Sequence, residues 1–248
     1  MNVRIAVPEA GPLFDGHFPG TPILPGVAEL IMIAGALAPG GSSFLAGVRH
    51  VRFRGLVRPG DELDLVAADG STRFELHRGA EPIARGELDF DGQGTLAAGG
   101  MTVAARPVHD APPMDALVPH RPPMRLVERF LGEAEDGATC QARIAEGCGF
   151  AQGAAAPAIA MLEAAAQTAA AWEALRRSRA AGGREPRIGY LVSARDVVLD
   201  RATVPVDTAL LATVRLDAHA PPLSHYVVSV AVLGKVALQG TIGTYLET

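Results

Sequence analysis

Residues 157–179 read PAIAMLEAAAQTAAAWEALRRSR, and the fold turns on this stretch. Proline is tolerated in a first helical turn, so a helix starts near Pro157 and runs to about Arg179. Before Glu173 its one charged residue is Glu163. A helix apolar on all sides has to be buried on all sides. Extended runs precede it at 124–131 and 138–145 and follow it at 187–199, 209–217, 224–233 and 235–246. A curved antiparallel sheet wrapped around the helix hides it from water.

The same plan stands earlier in the chain. An alternating stretch, Val3–Ile5–Val7, leads to a turn-rich segment at 14–22 and then to a helix after Pro25. That helix runs through 27–37 until Pro39 and Gly40 stop it, and Glu29 is its only charged residue. Strand-like runs follow at 45–56, 62–68, 73–77, 82–90 and 95–104, with turns such as RPGD at 58–61 and ADGS at 68–71 between them. Residues 106–113, RPVHDAPP, make a proline-rich connector. The reading is α+β, with a first half at 1–104, a linker at 105–113 and a second half at 114–248. A single wrapped sheet leaves an open edge, so the two units are expected to pair edge to edge into one continuous sheet.

Composition excludes several classes. Hydrophobic residues at 48% and charged residues at 20% fit a soluble globular chain with a sizeable core. The net charge of −5 speaks against nucleic acid as a partner. Cys140 and Cys148 lack the spacing of a disulfide framework or a zinc site, so neither a metal nor any other cofactor is expected. No signal-peptide run and no apolar stretch of ~18 residues is present, so a cytoplasmic location without membrane insertion is expected.

Residues 14–27, FDGHFPGTPILPGV, resemble the signature of bacterial 3-hydroxyacyl-acyl-carrier-protein dehydratases of the FabZ/FabA type, which are hot-dog proteins. Residues 117–124, LVPHRPPM, with LVER at 126–129, are similar to the N-terminal segment of the same family. MLEAAAQ at 161–167 is similar to its central-helix segment, which carries the catalytic carboxylate. The resemblance implies a double hot-dog: two buried central helices, each wrapped by an antiparallel sheet.

The departures are informative. The family's carboxylate falls fourteen residues after its histidine, and counting from His17 lands on Ile31. Glu29 is two residues off, roughly 200° around the helix, and faces elsewhere. The second half keeps a carboxylate at Glu163, but its histidine segment has shrunk to FAQGAAAP at 150–157. In the family, as the resemblance implies, histidine and carboxylate come from opposite subunits. One intact pair, His17 with Glu163, therefore remains across this internal pseudo-dimer, and the other pair is dead. The lone-histidine and lone-glutamate halves look similar to the paired dehydratase subunits of aryl polyene clusters, joined here in one chain.

The resemblance implies that such a site dehydrates a 3-hydroxyacyl thioester to a trans-2-enoyl thioester in fatty-acid or polyene-type assembly. Histidine, with a pKa of ~6.5, suits removal of the C2 proton. A carboxylic acid kept protonated by burial protonates the leaving hydroxyl. Unpaired amides at the first turn of a helix, with Gly26 allowing close approach, suit the thioester oxygen. Ala158 holds the corresponding place on the second helix. Gln167, one turn after Glu163, orients it or the water formed. Phe18 and Pro22, within the motif, complete the expected substrate contacts, and a tunnel beside one central helix is expected to take the acyl chain.

His120 is read as structural, its side chain bonded to backbone, and His50, His77, His109, His219 and His225 as surface or edge residues. Arg49, Arg52, Arg54 and Arg58, with Arg176, Arg177 and Arg179, are either solvated faces or the dock for an acidic acyl carrier protein. Coenzyme A is the alternative carrier. Two other functions remain open: a hot-dog thioesterase using Glu163 to activate water, and a non-catalytic acyl-carrier-binding partner.

Overall fold

The computed structural model describes residues 1–38, 44–90, 96, 101, 106–108, 110–181 and 187–247. In the first half, strand β1 (Asn2–Ala6) precedes helix α1 (Gly26–Leu37) and strands β2 (Leu45–Phe53), β3 (Glu62–Val66), β4 (Arg73–Arg78) and β5 (Glu81–Phe90). The second half supplies β6 (Val127–Ala134), β7 (Gly137–Ala142), β8 (Ala155–Pro157), helix α2 (Met161–Ala181), β9 (Gly189–Leu199), β10 (Thr203–Pro205), β11 (Leu210–Ala220), β12 (Leu223–Val232) and β13 (Lys235–Leu246).

One sheet of eleven strands runs in the order β1-β3-β4-β5-β2-β9-β13-β12-β11-β7-β6. The halves join where β2 pairs antiparallel with β9, Val48 opposite Val197 and Val51 opposite Ala194. All four residues are buried, so the junction belongs to the core. The architecture is the expected double hot-dog.

The alanine-rich helix α2 lies on β7, β11 and β12. Small side chains at Ala164, Ala165, Ala169 and Ala171, all at most 1% exposed, let helix and strands approach closely. Trp172 fills the space farther along, edge-on to Tyr226 at 6.1 Å with Arg176 stacked over its ring at 4.7 Å. On α1, Val27, Leu30 and Ile33 are fully buried. Each such aliphatic side chain contributes about 1.5–3 kcal/mol relative to exposure.

Several elements differ from expectation; the runs expected at 45–56 and 138–145 stop at Phe53 and Ala142. The strand expected from residue 124 begins at Val127, because Arg121 O accepts the amides of Met124 and Arg125 and so closes a turn there. The start of the second helix is a single 3-10 turn over Ala158–Ala160. The small β8–β10 ladder was not foreseen, since three-residue segments rich in alanine and proline carry no alternation. The expected strand at 95–104 and the helix stop at 39–40 lie outside the described residues, except for residues 96 and 101. Within the connector, Arg106 exchanges both backbone hydrogen bonds with Glu133, so that this residue lies along the edge of β6. Among the described residues, no helix is long and apolar enough to cross a membrane.

Candidate active site

The loop carrying His17 is held by its own turns. The amide of Phe14 donates to Gly11 O, that of His17 to Phe14 O and that of Thr21 to Phe18 O. His17 Nδ1 lies 2.7 Å from Ile23 O. A carbonyl only accepts, so Nδ1 carries the hydrogen and Nε2 keeps its lone pair. Burial lowers the His17 pKa to about 4, partly offset by this bond, so the imidazole is neutral at ordinary pH.

The facing loop comes from the second half. Gly16 has a φ of +82° and packs so tightly on Arg121 that a Cβ there would lie 2.1 Å from Arg121 O. The Arg121 amide donates to Gly16 O at 2.7 Å. The Arg121 guanidinium in turn donates to the carbonyls of Val118, Pro119 and His120, fixing the turn. This backbone-to-backbone contact sets the His120 ring 5.2 Å from the His17 ring and 5.0 Å from Phe18.

Glu163 sits in the first turn of α2 with Oε1 3.5 Å from His120 Nε2. One nitrogen of each histidine and a Glu163 oxygen all lie within 4.8 Å of one another. All three side chains are at most 6% exposed. Burial raises the pKa of Glu163, opposed by a hydrogen bond from Gln167 Nε2 at 3.0 Å. The site thus pairs a neutral imidazole with a carboxyl biased toward its protonated form.

Gln167 is fully engaged. Its Nε2 also donates to Met124 O, and its Oε1 accepts from the Leu126 amide, both at 2.8 Å. It therefore clamps Glu163 to the segment carrying His120 and orients the carboxyl. Gln167→Ala is expected to lower stability by about 2–4 kcal/mol, because it strands a buried amide and a buried carbonyl. Chemical denaturation measures that loss, and turnover should fall with it as Glu163 loses its anchor.

The cavity beside these groups measures about 290 Å³ and is lined from both halves. On α2 its wall is Glu163, Ala166, Gln167, Ala170, Glu173 and Arg177, one helical face about 20 Å long. Phe18 and Gly26 line it, with Tyr190 and Leu191 of β9 beyond them. Pro22 is exposed and lies outside the lining, so the structure does not bring it to the others. Pro25 caps α1 without a side-chain bond, which leaves the first-turn amides at Gly26 and Val27 unclaimed by any cap. At the equivalent place on the second helix, the Ala158 amide already donates to Ala202 O at 2.9 Å.

Two residues escaped sequence reasoning. The structure corrects the reading of His120: its side chain faces Glu163 and His17, and its Nδ1 is buried without a partner among the described residues. No spacing signals this, since 43 residues separate it from Glu163 within the second half, and its approach to His17 depends on a cross-half contact. Glu29 lines the same cavity from α1, with Oε2 buried and unpartnered among the described residues, and burial raises its pKa well above the usual carboxylate value.

Of the candidate carrier-binding arginines, Arg49 pairs with Asp89, Arg177 with Glu173 and Arg179 with Glu133. Arg54 lines the cavity, as does Arg187.

Comparison with known proteins divides the chain in two. Residues 1–87 match the model of the ApeI-like dehydratases and residues 112–247 that of the ApeP-like dehydratases. The 3-hydroxyacyl-[acyl-carrier-protein] dehydratase FabZ of Caldicellulosiruptor saccharolyticus is 37% identical over 95 residues, 32% of this chain and 68% of that protein. FabZ of Chlamydia trachomatis is 36% identical over 115 residues, 36% of this chain and 74% of that protein. Among solved structures, the dehydratase heterocomplex ApeI:P from Xenorhabdus doucetiae aligns with a TM-score of 0.51 at 20% identity, over 55% of this chain and 91% of that one. The dehydratase domain of RzxB from Pseudomonas fluorescens aligns with a TM-score of 0.67 at 15% identity, over 98% and 93%. At these identities the structural likenesses establish the fold.

Proposed function

The chain belongs to the ApeP-like dehydratases through residues 112–247, behind an ApeI-like segment, and on that premise we propose that it dehydrates 3-hydroxyacyl thioesters at one composite site per chain. The observation that carries this reading is the convergence of His17 from the first half and Glu163 from the second on one cavity.

His17 Nε2 takes the C2 proton, and charge develops on the thioester oxygen, which the first-turn amides of α1 at Gly26 and Val27 receive. The C3–O bond breaks as Glu163 gives its proton to the departing hydroxyl, and water and the trans-2-enoyl thioester result. Gln167 is a positioning residue, and Phe18 packs on the His17 ring at 4.1 Å, limiting its rotation. The acyl chain lies along α2 in the cavity. An acyl carrier protein delivers it, in the cytoplasm, to the side where Arg54 and Arg187 line the wall. The units 1–104 and 114–248, joined by 105–113, each contribute one of the two reacting groups.

The second pseudo-site is inert in this reading. Ile31 stands where a carboxylate is needed, and the Ala158 amide is taken by Ala202. An alkynyl thioester whose allenic isomer alkylates the base should therefore label one site per chain, at His17, as read by peptide mass spectrometry. Two labels per chain, or release of free thiol from a 3-hydroxyacyl thioester, would overturn the proposal.

The pH profile has a predicted sign. Lowering the pH toward 4 protonates His17 and removes the base. Raising it through the elevated pKa of Glu163 ionises the acid. A plot of kcat/KM against pH should be bell-shaped, and Glu163→Gln should abolish its alkaline limb in the residual rate.

A further inference from the structure

The three groups that meet at the site carry a second chemistry. We propose that His17, His120 and Glu163 form a binding site for a divalent transition-metal ion, Zn²⁺ foremost, and that the ion shuts the site by occupying the substrate's place. The metal-binding half rests on geometry alone; the inhibitory half rests on the dehydratase reading above.

Two imidazoles and one carboxylate with an open fourth position are a familiar zinc donor set. Ligands about 2.1 Å from a tetrahedral ion lie about 3.4 Å from each other. His120 Nε2 and Glu163 Oε1 are already 3.5 Å apart, and the donor atoms of all three residues lie within 4.8 Å. Closing the trio round an ion therefore needs side-chain shifts on the order of 1 Å.

Two of the three groups already have the outer contacts of metal ligands, while Nδ1 of His120 has no partner among the described residues. A metal-binding histidine typically gives its other ring N–H to a carbonyl or carboxylate, and ligating carboxylates are themselves hydrogen-bonded. His17 Nδ1 bonds Ile23 O at 2.7 Å, and Glu163 accepts from Gln167 at 3.0 Å. The open position faces the cavity, where the 3-hydroxyacyl group would lie. Nitrogen donors select zinc, copper or nickel over magnesium and calcium. His120 has no assigned part in the proton transfers, yet its Nε2 faces the carboxylate. The metal site gives it a chemical role.

Calorimetric titration of the full chain with zinc chloride tests this without any substrate. The expected result is one Zn²⁺ per chain, with affinity at least ~10-fold weaker in His120→Ala and in Glu163→Gln. Thermal melting shows whether each variant is folded. Zinc-edge X-ray absorption of the wild-type protein does not depend on the variants, and it should show two imidazole nitrogens and a carboxylate oxygen. A sulfur-containing shell, one imidazole only, or affinity unchanged in both variants would overturn the site. In the assay, zinc should raise the apparent KM, with EDTA restoring the rate. Zinc bound in this shell with turnover unaffected would overturn the inhibitory half. Zinc bound there in a protein that dehydrates no 3-hydroxyacyl thioester would uphold the site and refute the dehydratase reading instead.

Discussion

His17→Ala and Glu163→Gln are each expected to lower the dehydration rate by at least ~10²-fold, the lower end of what general acid–base groups supply. The first removes an imidazole whose Nε2 lone pair is fixed by the hydrogen bond from Nδ1 to Ile23 O. The second keeps the shape and the neutral charge of a protonated carboxyl but cannot give up a proton to a leaving hydroxyl. Because Gln conserves volume and can still meet the amide of Gln167, unfolding temperatures should stay close to wild type. Steady-state kinetics with a 3-hydroxyacyl carrier or its short thioester mimic reads the effect. A rate within a few-fold of wild type in either variant would remove the mechanism.

Gly16→Ala is expected to be as damaging by a different route. A methyl group at Gly16 would stand 2.1 Å from the carbonyl oxygen of Arg121, which is backbone and cannot swing aside. The loops have to part, losing the Arg121–Gly16 hydrogen bond and the placement of His17 against His120. Left-handed strain adds about 1–2 kcal/mol, and with the lost contact the total should be about 3 kcal/mol or more. Gly20→Ala separates the two causes. Gly20 has nearly the same backbone angle, +83°, but nothing within 4 Å of the added carbon. Its variant should show the strain alone, with activity largely kept. Melting curves and rates on both proteins make the comparison. Equal losses in the two would show that conformation, and not the cross-half contact, sets the site.

The fold was legible because its determinants are local. A helix with a single carboxylate in its apolar stretch, flanked by short extended runs, has few ways to hide, and the limits of β13 and the ends of α1, β5 and β9 follow the apolar patterning closely. Glu163 could be singled out because a carboxylate in an apolar helix is costly without a role. What stayed hidden depends on contacts between distant segments. The displacement of β6 arises from a turn whose carbonyl acceptor is Arg121. His120 looked like a loop histidine because the meeting of its loop with residues 14–18 is a tertiary event, permitted by a missing Cβ at Gly16. Glu29 lies two residues off the expected carboxylate position, and that offset along the helix does not say which cavity its side chain lines. Pro22 lies outside the cavity lining, since membership of a motif does not bring every residue of it to the site.

The β2–β9 junction has a consequence for assembly. When two different subunits must find each other, like-with-like pairs compete with the productive one, and each such pair holds histidines without an acid or acids without a histidine. In this chain the complementary strand is tethered, so the partner's local concentration is fixed by the connector and not by expression level. Dilution cannot separate the two groups, and unequal synthesis of the halves cannot arise. The sequence is thereby freed from encoding specificity against self-pairing at that edge, and β2 and β9 are free to optimise packing alone.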